Sequence, residues 1–259
     1  MLNVVIPMAG RGSRFSAQGY QDPKPLIPVH GVPMIELVIR NLTPRVPHRF
    51  IFLCLGEHLA AHGLQRRLEV LSPGARVVTV DRVTEGAACT VLLARHLIDS
   101  DDPLMIANCD QWVDLRIDDY LATMDRGGLD GLIMTMWADD PKWSFVRLGP
   151  QALATEVVEK RVISNEATVG IYNYRRGRDY VRAADAMIAA DERVNGEFYV
   201  APVYNQLIRA GARVGVHNVG REAAGMYGLG TPADLEKFLA MPISRRAGAT
   251  TALSVEAGP

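Results

Sequence analysis

Val4-Val5-Ile6-Pro7-Met8-Ala9-Gly10-Arg11-Gly12-Ser13-Arg14-Phe15, followed by Pro23-Lys24-Pro25-Leu26-Ile27-Pro28, is the stretch on which the reading of this chain turns. A β-rich apolar run ends in a loop of glycines and small residues. Such a loop lets backbone N–H groups approach phosphate oxygens, because glycine has no Cβ to hold them off. Arg14 and Lys24 add fixed positive charge beside it, so the pairing suggests a polyphosphate site. The loop is not a Rossmann fingerprint, since Phe15 stands where the third glycine belongs. It is not a Walker loop either, since no Gly-Lys-Ser/Thr follows. A bare Gly-x-Gly would read as a plain strand-to-helix turn; Arg14, Lys24 and the flanking prolines argue for more.

Outward from this loop, strand-like and helix-like segments alternate. Leu2 to Ile6 is a strand, and Met34 to Leu42 has helical spacing at Met34, Leu37, Val38 and Leu42. Phe50 to Leu55 is a second buried strand, with a helical stretch near His58 to Leu71. Arg76 to Val80 is a third strand, Ala87 to Leu97 a helix, and Leu104 to Ala107 a fourth strand. Near-continuous apolar strands separated by helices indicate an α/β chain with a mainly parallel sheet covered on both faces. Ligands of such sheets bind beyond the carboxyl ends of the strands, where Gly10, Arg14 and Asp110 fall. The second half reads as antiparallel additions. It has strands at Leu132 to Trp137, Phe145 to Leu148, Glu156 to Lys160, Thr168 to Tyr174 and Arg213 to Val219. Helices are expected near Tyr180 to Ala190, Tyr199 to Ala210 and Ala233 to Met241. We expect one domain over 1–241 and a mobile tail over 242–259, which is rich in small residues and lacks periodicity.

The 259 residues are ample for a buried core, and 48% hydrophobic with 22% charged residues is a globular composition. A formal net charge of −1 gives no electrostatic case for nucleic acid or an anionic membrane. No stretch approaches the ~20 apolar residues of a membrane span. The N-terminus lacks the basic segment, apolar run and cleavage site of a secretory signal. Cys54, Cys89 and Cys109 show no metal spacing and read as reduced core thiols. These features point to a cytoplasmic enzyme.

The opening segment resembles the signature of the nucleotidyltransferases that join a nucleoside triphosphate to a sugar 1-phosphate. That pattern is Gly-x-Gly-x-Arg-(Leu/Phe), Pro-Lys-x-Leu-x-Pro and Gly-x-Pro-(Met/Leu)-(Ile/Leu). Here it reads Gly10 to Phe15, Pro23 to Pro28 and Gly31-Val32-Pro33-Met34-Ile35. The resemblance implies a Rossmann-like, three-layer sheet of the glycosyltransferase-A-like type. It also implies Mg²⁺-dependent transfer with release of pyrophosphate, giving an activated sugar for surface polysaccharide synthesis. The partners implied are a nucleoside triphosphate and a phosphorylated small-molecule acceptor. Self-association is compatible with it.

Carried over residue by residue, the resemblance assigns catalysis to Arg14, Lys24 and Asp110. Met8, Ala9, Gly10, Arg11, Gly12, Ser13, Glu85, Gly86 and Ala87 would bind the nucleotide. Asp110 follows a buried strand and would hold Mg²⁺, which uses oxygen ligands from one or two carboxylates plus substrate phosphates. Read alone, it could equally cap the next turn. Glu159 and Lys160 resemble the family's Glu-Lys-Pro, with Arg161 replacing the proline; by themselves they would be an exposed ion pair. Trp143 and Ser144 stand where sugar-binding relatives carry an aromatic-Gly pair, although Trp143 could instead cover the core. Gly170 lies in a Gly-Ile-Tyr strand on the acceptor side. Glu197 is either a helix-capping carboxylate or a substrate ligand. Relatives place a second metal-binding Asp where this chain has Gly228, so Glu197 is the first candidate to complete the metal shell. Arg161, Ser144 and Gly228 mark a divergent branch. They keep open a cytidylyltransferase acting on a small non-sugar phosphate or phosphonate. A non-catalytic nucleotide-binding regulator is a further alternative, against which Arg14, Lys24 and Asp110 argue.

Overall fold

The computed structural model describes residues 1–249. In the first half, strand β1 (Leu2–Met8) leads to the hairpin β2 (Pro28–Val29) and β3 (Val32–Pro33), then β4 (His48–Leu55), β5 (Arg76–Val80), β6 (Leu104–Ala107) and β7 (Gln111–Val113). The second half adds β8 (Gly131–Trp137), β9 (Ser144–Leu148), β10 (Ala154–Glu159), β11 (Glu166–Tyr174), β12 (Val214–Glu222) and β13 (Gly225–Gly228). The main sheet runs β5-β4-β1-β6-β11-β8-β12-β13-β7, with the β9–β10 hairpin attached through β11. Its first four strands are parallel, in register Val5↔Ile51 and Val5↔Ile106. β11 enters antiparallel between β6 and β8, and β12 returns parallel to β8. The sheet is therefore mixed, as the sequence indicates.

Val4, Val5 and Ile6 have no exposed surface, because helices cover both faces of β1. Two large apolar clusters fill those faces, and a third forms away from them around Phe15, Met34, Trp112, Leu229 and Phe238. Each fully buried side chain of this size contributes about 1.5–3 kcal/mol of transfer free energy. Helices α1 (Ser13–Ser16), α2 (Met34–Leu42), α3 (Gly56–His62), α4 (Leu64–Leu71), α5 (Ala87–Leu92), α6 (Arg95–Ile98) and α7 (Ile117–Arg126) lie in the first half. They are followed by α8 (Gly177–Ala189), α9 (Tyr204–Arg209), α10 (Pro232–Leu239) and α11 (Pro242–Gly248). Among the described residues, no helix is long and apolar enough to cross a membrane.

Four expectations need correction. The helix expected over Ala87 to Leu97 is two, α5 and α6, parted at Leu93 and Ala94. The helical stretch over 58–71 is two helices, broken at Gly63, whose φ of 56° is left-handed. The helix expected from Tyr199 begins only at Tyr204, after a short 3₁₀ turn containing Pro202. The expected tail opens as α11. Its buried Ser244 contacts His30 Nε2 at 2.7 Å, and Ile243 and Ala247 pack on the third cluster. The remainder of that tail lies outside the described residues.

Candidate active site

The carboxyl end of β1 delivers the glycine loop to the edge of the sheet. Gly12 has a φ of 64°, and a Cβ there would lie 3.3 Å from Lys24 Cβ. Glycine thus allows the loop to close on Lys24. Phe15 is 1% exposed and anchors the loop in the third cluster, edge-on to Tyr20 at 5.1 Å. Arg14, one residue earlier, is left on the surface. Lys24 is fixed by a 3₁₀ turn in which Pro25 and Leu26 are buried.

Lys24 Nζ donates to Asp110 Oδ2 at 2.8 Å. Both side chains are 23% exposed. Burial alone would lower the Lys24 ammonium, but the Asp110 carboxylate beside it prevails and the net shift is upward. Asp110 sits between β6 and β7, and its carbonyl accepts from Leu229 N at 2.8 Å. A Cβ on Gly230 would lie 2.7 Å from Asp110 Oδ2, so a side chain there would displace the carboxylate from its present place.

Two hollows flank Lys24. One, of about 230 Å³, is lined by Gly12, Ser13, Arg14, Lys24, Asp110 and Gly230. The other, of about 330 Å³, runs from Met8, Ala9 and Gly10 to Thr84, Gly86 and Ala87. Lys24, Cys109 and Glu197 complete its inner side. The first is cationic and lined by glycine; the second is more apolar. Lys24 is the wall they share.

Gly86 carries a φ of 131°, and its Cβ position would fall 2.4 Å from Phe198 O. Phe198 N donates to Glu85 O at 2.8 Å and Ala88 N to Phe198 O at 3.0 Å. These bonds bring Glu197 to the hollow. Glu85, expected at the base, points elsewhere: its side chain is 64% exposed and pairs with Arg193 at 2.5 Å. Arg11 is exposed and lines neither hollow.

Glu159 and Ser144 face each other in the β9–β10 register, and Ser144 Oγ donates to Glu159 Oε2. Burial pushes the Glu159 carboxyl up, against the Ser144 bond and the Lys160 charge, while Glu197 adds to the rise. Lys160 follows with a φ of 55°; its N–H donates to Trp143 O at 3.0 Å and its Nζ to Tyr199 OH. The Tyr199 bond is the main reason the Lys160 ammonium is raised. Glu159, Lys160 and Glu197 therefore share one electrostatic neighbourhood. Trp143 is half-buried against the first cluster, in keeping with its core-covering reading. Gly170, with a φ of 80°, lies where β11 passes Asn108, whose Nδ2 would be 2.2 Å from a Cβ. Arg161 pairs with Glu156 at 3.7 Å. Gly228 pairs with Gln111 beside Asp110, and a Cβ there would lie 3.9 Å from Asp234 Cγ.

Residues lining these hollows that sequence reasoning missed are Thr84, Thr90, Cys109 and Gly230, and Tyr199 joins them only through its bond to Lys160. Thr90 lies one helical turn after Gly86, a signal that local spacing carries. Tyr199 and Gly230 reach the site through tertiary packing that no local pattern announces.

A family model described as a MobA-like NTP transferase domain matches residues 4–158. The chain is similar to the solved nucleoside-diphosphate-sugar pyrophosphorylase of Vibrio cholerae RC9, with 25% identity, a TM-score of 0.77 and coverage of 92% of this chain and 100% of that one. A UDP-glucose pyrophosphorylase complexed with UDP-glucose shares the fold at 13% identity and a TM-score of 0.73, covering 92% and 96%. A UTP-bound UGPase from Acinetobacter baumannii shares it at 16% identity and 0.68, covering 92% of each chain. No curated protein matches the chain by sequence.

Proposed function

Because this chain belongs to the MobA-like NTP transferase family, and so is a nucleotidyltransferase, we propose that it joins a nucleoside triphosphate to a sugar 1-phosphate. The products would be pyrophosphate and an activated sugar of use in surface polysaccharide synthesis. The observation that carries the reading is the pair of hollows meeting at Lys24, with Asp110 bonded to it.

An oxygen of the acceptor phosphate attacks the α-phosphorus. The new P–O bond forms as the bond to the β-phosphate breaks, and pyrophosphate leaves in line. The acceptor is already anionic and needs no strong general base. The difficulty is electrostatic, since two anions must meet, and preorganised cations answer it. Arg14 holds the triphosphate and the departing pyrophosphate. Lys24 stands by the α-phosphate and the attacking oxygen. The loop from Met8 to Ser13 supplies backbone donors, and Gly86 with Ala87 gives the base a close approach. On the acceptor side Glu159 accepts from hydroxyls and Lys160 neutralises the phosphate, with Glu197 between the two substrates.

Asp110 suits Mg²⁺: it is a carboxylate opening on the phosphate hollow, and such ions bind through one or two carboxylates plus phosphate oxygens. Glu197, which lines the other hollow with Lys24, is the candidate for a second acid. Held by Asp110, Mg²⁺ would supply positive charge against the negative charge that develops on the phosphates.

A second reading of the acceptor is a small non-sugar phosphate. Ser144 favours it, because its hydroxyl already occupies Glu159, where a sugar hydroxyl would bind. The deciding experiment is pyrophosphate release with each common nucleoside triphosphate against sugar 1-phosphates and small phosphorylated alcohols. Turnover with the sugars alone supports the first reading, and turnover with the alcohols alone replaces it by the second. The absence of any turnover would sink both.

A further inference from the structure

The nucleoside hollow carries two hydroxyls whose hydrogen bonds can be counted out. Thr84 Oγ1 lies 2.8 Å from Gly86 O, and the two threonine oxygens are 2.6 Å apart. Gly86 O also accepts from Thr90 N at 3.1 Å. A carbonyl oxygen has two lone pairs. Thr90 N–H and the Thr84 hydroxyl fill both, and the longer 3.3 Å approach of Thr90 Oγ1 to Gly86 O is the weaker alternative. The arrangement that uses the shorter contacts runs in one direction, from Thr90 to Thr84 and from Thr84 to the carbonyl. Even if Thr90 donates to the carbonyl and Thr84 to Thr90, both hydrogens are spent inside the wall. A hydroxyl hydrogen reaches a ligand only if a hydroxyl bond to the Gly86 carbonyl is given up, so with those bonds kept the wall offers lone pairs.

Both threonines line the hollow beside Gly86. A wall that accepts but does not donate welcomes an N–H and opposes a carbonyl oxygen, because two facing acceptors lose their water without a partner. We propose that the Thr84–Thr90 pair selects a nucleoside triphosphate whose base turns an exocyclic amino group toward it, and disfavours the same ring with an oxo group there. The proposal rests on the reading of this hollow as the nucleoside site.

The test uses bases in which the amino group is exchanged for oxo and the adjacent ring nitrogen gains a proton. CTP is set against UTP, and ATP against ITP, in equilibrium binding to the whole 1–259 chain with Mg²⁺ present. Threonine variants separate the exocyclic group from the ring N–H. In whichever ring class binds, the amino member should bind about two- to tenfold tighter, the scale of one net hydrogen bond. Thr90→Val and Thr84→Val should each shrink that ratio toward unity, and Thr90→Ser, which keeps the hydroxyl, should retain it. Equal or tighter binding of the oxo members by the wild-type protein overturns the proposal, and this comparison needs no variant to fold. Amino preference in binding supports it whether or not pyrophosphate is released, so failure of the transfer reading alone leaves a distinct result. If no triphosphate binds, both fall.

Discussion

Replacing Lys24 by alanine should lower pyrophosphate release about 10²-fold or more, the scale of losing a preorganised charge partner. It also strips Asp110 of the bond now made at 2.8 Å. Near-normal release would remove Lys24 from the chemistry. Glu159 gives a prediction with a sign. Burial raises its carboxyl, so the folded chain holds that proton more tightly than the unfolded chain does. The corresponding stability is complete below the ordinary carboxylate range and is lost as pH rises through the raised value. Glu159→Gln should therefore gain on the wild type from acid to neutral pH in urea titrations; a pH-independent difference would contradict this. At this scale the sequence was legible where chemistry and motif coincide, as at Arg14, Lys24 and Asp110, which meet around one hollow. The direction of Glu85 was not legible, because it is set by Arg193, a partner supplied by a distant segment.

Elements were legible in proportion to their length and periodicity. α2 and β5 have the bounds their patterns give, because both patterns are local. β7 and β13, of three and four residues, are held by each other's hydrogen bonds and present no pattern of their own. The turn into α5 is the element on which the nucleoside hollow depends. At Gly86 an added Cβ meets both a left-handed-region φ and the Phe198 backbone. Gly86→Ala should cost roughly 1–3 kcal/mol of stability in chemical denaturation. It should also weaken nucleotide binding, since the displaced wall is shared. Unchanged stability would mean that the Phe198 segment moves freely, against the hydrogen bonds that tie it to Glu85 and Ala88.

Across the whole molecule, the C-terminal helices stand behind the first loop. Phe15 shares a cluster with Phe238 of α10 and Ile243 of α11. Ile243→Asp should lower stability by roughly 1–3 kcal/mol, the range for burying a charge at a partly buried site. It should raise the nucleotide concentration needed for half-maximal pyrophosphate release, although residue 243 lines neither hollow; loss of stability with unchanged nucleotide dependence would show the loop to be independent of its backing. The central strand has a consequence of another kind. β11 is the seam between β6 and β8, and it begins at Glu166, after the segment that the family model matches has ended at 158. The recognisable piece of this chain is thus not its foldable piece. A fragment ending at 158 would present the bare edges of β6 and β8, which invite aggregation. Expressed together with the complementary fragment, it should be rescued into a working heterodimer, because the missing strand would arrive in trans.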